Sequence, residues 1–186
     1  EITQAEPPHG SIVAWGDNQY GQTIVPVSEM KFEGISGGYA HSLGLTDRGP
    51  NFRQGTVVAW GCGSPFNYGQ CDVPEPNEGF INIAAGAYHS LGLKYDSTSI
   101  VAWGAGKLFE SGSPNFGQSV VPAPNSGFIA VAAGTYHSLG LKADGSIVAW
   151  GYNDSGQTNV PAPNSGFIAV AAGGYHSLGL KADGSI

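Results

Sequence analysis

Short apolar runs of five or six residues, broken by Gly, Pro, Asn or Asp, recur along the whole chain. Residues 146–150 read Ser-Ile-Val-Ala-Trp, apolar and β-branched, as a strand requires. Residues 128–133, Phe-Ile-Ala-Val-Ala-Ala, form a second run whose small residues suit close sheet packing. In 137–142, His-Ser-Leu-Gly-Leu-Lys, polar and apolar positions alternate, which places Leu139 and Leu141 on one strand face. Asp144-Gly145 then reads as a tight hairpin turn into the next run. The stretch around Val121-Pro122 reads as a fourth, edge strand, where the missing proline N–H is tolerated.

This grouping repeats. Val-Ala-Trp-Gly occurs with Trp15, Trp60, Trp103 and Trp150. His-Ser-Leu-Gly-Leu begins at His41, His89, His137 and His176, and Gly-Gln-x-x-Val-Pro contains Gln22, Gln70, Gln118 and Gln157. From each Gln to the following His is 19 residues, whereas Trp to Gln varies as 7, 10, 15 and 7. The Gln-to-His stretch is therefore scaffold, and insertions enter loops on either side of it. Residues 121–147 and 160–186 differ only at Thr135 against Gly174, the mark of recent duplication. Four strands in 39 to 48 residues is the grain of a β-propeller blade. A sheet with two apolar faces must stack on neighbours, hence the array. The sequence predicts an all-β propeller of four-stranded blades, about four in this chain. Residues 1–9 read as an N-terminal extension, and 10–186 divide near 17–60, 61–103, 104–150 and 151–186.

Composition agrees. The 186 residues include 30 Gly and 12 Pro, and a Gly costs a helix about 1 kcal/mol relative to Ala. With 7 basic against 14 acidic residues the net charge is −7, which disfavours nucleic acid and anionic membrane surfaces. No apolar run approaches the ~20 residues of a spanning helix.

Enzymatic chemistry is not expected. A His-Ser pair repeated at four equivalent positions looks architectural, and adjacent strand residues point to opposite faces. The four His are expected to bond blade backbone, the four Gln to satisfy buried backbone groups, and the four Trp to fill the core between blades. Asp96, Asp144 and Asp183 sit at hairpin tips, where a turn role suffices. No carboxylate pair recurs at an acid–base spacing, the Gly-rich strings lack the phosphate-loop form, and neither a metal nor a cofactor is expected. Cys62 and Cys71 cannot complete a structural zinc site alone. In an oxidising compartment they form a local disulfide, and in a cytosol they remain thiols.

Function on such a scaffold belongs where the copies differ. Loop 46–55 carries Arg48, Phe52 and Arg53; loop 62–68 carries Phe66 and Tyr68; loop 105–116 carries Lys107, Leu108, Phe109 and Phe116. Residues 30–33, Met-Lys-Phe-Glu, replace a recurrent Pro-Asn-x-Gly-Phe. Aromatics and Arg on loops are natural contact anchors.

The pattern Ser-Ile-Val-Ala-Trp-Gly, then Gly-Gln-x-x-Val-Pro, then Ala-Ala-Gly-x-Tyr-His-Ser-Leu-Gly-Leu-Lys-Ala-Asp-Gly resembles the regulator of chromosome condensation repeat, over residues 10–186. Its bacterial branch, with the propeller-type β-lactamase inhibitors, is the most similar. The resemblance implies a propeller, usually closed by seven blades. It also implies a binding face near Tyr39, Tyr88, Tyr136 and Tyr175, with Tyr39 displaced one residue from the others.

Residues 10–16 carry the Val-Ala-Trp-Gly strand that the C-terminal unit lacks. Three arrangements follow: a piece of a longer propeller, a four-blade ring closed in cis, or completion of the last blade by a neighbour's Ser11, Ile12, Val13, Ala14 and Trp15. The functional expectation is a non-catalytic scaffold, extracellular or at a cell surface, self-assembling head to tail through that strand. The alternative is a protein-binding module acting through its loops, inhibitor-like or exchange-factor-like.

Overall fold

A computed structural model describes residues 10–26, 30–47, 55–109 and 112–183. Every element in it is a strand. Sheet one contains β1 (Phe32–Gly37), β2 (His41–Thr46) and β3 (Val57–Gly61). Sheet two contains β4 (Phe80–Ala85), β5 (His89–Lys94) and β6 (Ile100–Gly104), and sheet three contains β7 (Phe128–Ala133), β8 (His137–Lys142) and β9 (Ile147–Gly151). Sheet four has β10 (Phe167–Ala172) and β11 (Ser177–Lys181). Pairing is antiparallel throughout, in chain order. The register repeats: His41 faces Gly61, His89 faces Gly104 and His137 faces Gly151. Each first strand carries a bulge just after its Phe, which turns Ile129 and Ile168 outward to half-exposure.

The core is divided. Leu43, Leu45 and Val57 of sheet one pack with Phe80, Ile83 and Trp103 of sheet two. Leu91, Leu93 and Ile100 of sheet two pack with Phe128, Val131 and Trp150 of sheet three. Leu139, Leu141 and Ile147 of sheet three pack with Phe167 of sheet four. Each hydrophobic cluster thus belongs to a boundary between two sheets.

The described sheets have three strands, or two, where four were expected. The segment around Val121-Pro122 is not a strand. Side chains replace the missing ladder: Asn125 accepts from the Ile100 N–H through Oδ1 (2.7 Å) and donates Nδ2 to the Ile100 carbonyl (2.8 Å). Asn77 and Asn164 treat Val57 and Ile147 in the same way. A carboxamide offers the same donor and acceptor as a peptide unit, so one side chain serves as the rung a fourth strand would supply.

Ser11–Trp15 is not in a strand either. Gly10 alone bridges to Phe32, and the Ile12 methyl lies over Gly44 as Ile100 lies over Gly140. The segment therefore flanks sheet one instead of closing on β11, and Trp15, expected in the core, is 84% exposed. Trp60, Trp103 and Trp150 are buried as expected.

Candidate functional site

The turns before β2, β5, β8 and β11 open at the same rim as the loops that follow β3, β6 and β9. Two glycines per unit shape those loops. Gly61, Gly104 and Gly151 end the third strands at φ of 93 to 100°, and a Cβ on Gly61 would lie 2.7 Å from the Ala40 carbonyl oxygen. Gly69 and Gly117 precede the glutamines at φ of 84 and 78°.

Each Gln then hangs its loop, buried at Gln70 and Gln118 and half-buried at Gln22. Gln22, Gln70 and Gln118 accept, through Oε1, the N–H of Tyr20 (2.9 Å), Tyr68 (2.7 Å) and Phe116 (2.8 Å). Gln70 Nε2 donates to the Phe66 carbonyl and Gln118 Nε2 to that of Pro114. Their own carbonyls receive Ser and Trp from the sheet: Ser90 Oγ and Trp103 Nε1 both donate to Gln70 O, at 2.9 and 2.8 Å. The loop aromatics are thereby fixed to the framework.

They meet the turn tyrosines in a continuous band. Phe66 lies 5.2 Å from Tyr20 and 5.5 Å from Tyr39, both edge-on. Tyr88 stacks on Tyr136 at 5.5 Å with planes 19° apart, and Tyr68 meets Tyr88 edge-on. Phe116 touches Tyr136 (5.1 Å) and Tyr152 (4.7 Å), and Tyr136 continues to Tyr175 (6.1 Å). Tyr39 and Tyr175 are 60% and 53% exposed, and the rest are half-buried or at the surface. Burial, reinforced by Tyr136, pushes the Tyr88 phenol up to about 12. A hydrogen bond to Asp154, with some burial, raises that of Tyr152. The hydroxyls of Tyr88 and Tyr152 therefore stay protonated at neutral pH.

Of the expected contact residues, the structure unites Tyr39, Tyr88, Tyr136 and Tyr175 with Phe66, Tyr68 and Phe116. Tyr39 joins despite its one-residue displacement, because Ala40 takes the buried position beside His41. Leu108 and Phe109 project into solvent, and Lys107 reaches back toward Gly69. Arg48, Phe52 and Arg53 lie outside the described residues. Cys62 and Cys71 form a disulfide, with Cα atoms 6.2 Å apart, across the base of the loop that holds Phe66 and Tyr68. Tyr20 and Tyr152 are rim residues that the repeat pattern does not single out. An aromatic two residues before the glutamine at Tyr20, Tyr68 and Phe116 is the signal that finds Tyr20.

Three of the four histidines behave differently from expectation. His41, His89 and His137 each bond a serine of the next sheet, not backbone: His41 to Ser90 (3.0 Å), His89 to Ser138 (2.9 Å) and His137 to Ser177 (3.0 Å). The fourth, His176, is exposed on sheet four, just before β11. Each of these Ser hydroxyls already donates to a Gln carbonyl, so the imidazole Nε2–H is the donor to Ser Oγ. A histidine in that tautomer takes no proton from the serine, so the pairs are cross-sheet ties. Among the described residues no group of three or more His, Cys, Asp and Glu could hold a metal ion.

Residues 128–157 match the regulator of chromosome condensation (RCC1) repeat. No curated protein matches the chain. Among solved structures, the ectodomain of the Physcomitrella patens receptor kinase CR4 is 26% identical with a TM-score of 0.68, covering 91% of this chain and 43% of that one. The CRINKLY WD40 ectodomain of the Arabidopsis thaliana receptor kinase ACR4 is 25% identical with a TM-score of 0.59, covering 84% and 48%. Prp20p of Saccharomyces cerevisiae, described with its binding to Gsp1p and histones, shares the fold at 22% identity and a TM-score of 0.63, covering 92% and 52%. The chain spans about half the length of these structures.

Proposed function

We propose that this chain, an array of regulator of chromosome condensation repeats, is a protein-binding module whose contact surface is the aromatic rim. The observation that carries the reading is the unbroken series of ring contacts from Tyr20 to Tyr175, held on the sheets by glutamines that bond the loop backbone. Aromatic side chains with polar tips, fixed in advance, supply contact area at little entropic cost. The reading is non-catalytic and sets the module outside the cell or at its surface, which the Cys62–Cys71 disulfide supports. Photo-crosslinking tests it. A benzophenone amino acid placed at Tyr39 or Tyr175 is expected to capture protein partners from the source organism, and one at the comparably exposed Tyr95, on the opposite rim, is not. Equal capture from both rims sinks the reading.

A second reading, head-to-tail self-assembly, draws on sheet four. Leu178 and Leu180 are 47% and 37% exposed, where Leu139 and Leu141 are fully buried. The Gln157 carbonyl accepts from Ser177, and the indole partner its counterparts have is absent among the described residues. Residues 11–16 repeat the sequence of 146–151. Laid on β11 in the register of β9 on β8, Trp15 would face Ser177 and Ile12 would face Leu180. A second copy can supply that strand. Light scattering over a dilution series should then give multiples of 19.1 kDa, reduced to one by Val13→Pro. A constant mass of one copy overturns this reading.

A further inference from the structure

We propose that the partner segment taken by the aromatic rim is cationic, an arginine- or lysine-bearing stretch of protein lying across Tyr88 and Tyr136. This deepens the protein-binding reading and rests on it. The ring faces are electron-rich, and a guanidinium or ammonium within about 6 Å of one is held by its quadrupole. Acidic groups edge the same surface. Asp17 accepts from Gln22 Nε2 at 2.9 Å, Asp72 lies against Gly69 beside Tyr68, and Asp154 lies beside the Tyr152 hydroxyl.

Among the described residues, the three lysines that end strands lie away from this rim. Lys94, Lys142 and Lys181 end their strands at the opposite rim. There they cover Phe80, Phe128 and Phe167 at 3.8, 4.9 and 4.9 Å and donate to the Pro76, Pro124 and Pro163 carbonyls. Among the described residues Lys107 is the one ammonium in the loops of the aromatic rim. The protein thus places cations on aromatic rings at one end. At the other it presents rings and carboxylates, which fit a cation brought by a partner.

The test titrates the 186-residue chain with an acetylated hexa-arginine peptide, and with hexa-glutamate and Gly-Ser hexapeptides as controls. Binding of hexa-arginine alone, saturable at one per chain, is expected. Tyr88→Leu with Tyr136→Leu keeps the net charge and should weaken it about five- to thirtyfold. Asp17→Asn with Asp72→Asn leaves those two rings in place and should also weaken it. Asp96→Asn with Asp144→Asn, at the other rim, should change it less than about twofold. Absence of saturable binding, or equal binding by the tyrosine pair variant, overturns the proposal, since attraction to an acidic chain needs no rings. Crosslinks from Tyr39 and Tyr175 to a partner lacking basic segments would overturn it too, while leaving the protein-binding reading in place.

Discussion

Each histidine tie sets a condition on pH. His89 is fully buried, its Nε2–H is used on Ser138, and its Nδ1 has no hydrogen-bond partner. A proton on Nδ1 would bring charge into the core with nothing to receive it. Burial accordingly lowers His41 to about 4 and His89, helped by its histidine neighbours, to about 3, and it lowers His137 as well. The folded values lie below the ordinary 6.5, so the folded state binds fewer protons than the unfolded chain. The stability this contributes is complete above pH 6.5. It is lost progressively as the pH falls from there toward 4 and 3. Urea midpoints should be flat from pH 8 to 7 and drop steeply between 6 and 4. A midpoint unchanged at pH 4.5 would refute the buried neutral imidazoles. Ser138→Ala strands the Nε2–H of His89, and a loss of about 1–3 kcal/mol is expected in the same assay.

Strands reveal themselves in sequence when their burial is local. The runs 128–133, 137–142 and 146–150 carry apolar, β-branched or alternating patterns, and the structure makes strands of the first two and of 147–151. The fourth-strand expectation failed because its run contains Pro122 and because Asn125 does the pairing. A carboxamide bridging the backbone of Ile100, 25 residues away, leaves no trace in the hydrophobic pattern, and the recurrent Pro-Asn does not say what its side chain bonds. The N-terminal run failed for another reason. Its sequence is that of β9, but a strand also needs a neighbour, and no pattern within residues 11–16 says which sheet provides one. The rim was half legible: the tyrosines before each His could be named, whereas their meeting with Phe66 and Phe116 depends on loops of unequal length. Asn125→Ala tests the substitution of side chain for strand. It should cost about 1–2 kcal/mol and raise hydrogen exchange at the Ile100 amide. An Ile100 amide as protected as before would show that the carboxamide is dispensable.

Across the whole molecule, the sheets are joined by boundaries of one design. Leu91 lies in the cluster between sheets two and three, and Leu178 occupies the corresponding strand position on sheet four. Leu91→Ala should cost about 2–5 kcal/mol by cavity formation, and Leu178→Ala, half in water already, under about 1 kcal/mol. If the two cost the same in dilute solution, sheet four is covered by something more than these residues. Stability in such an array approximates a sum over units and the contacts between neighbours.

That partitioned core has a consequence for how the molecule can change over generations. A unit inserted or lost alters the number of boundaries by one and leaves the chemistry of every other boundary as it was. Gene duplication, which the near-identity of 121–147 and 160–186 records, is therefore a small step for folding and a larger one for recognition. Each added unit lengthens the aromatic rim by another turn tyrosine, at a fixed pitch and without redesign. Copy number becomes a dial on the reach of the binding surface, turned independently of the interior that holds it up.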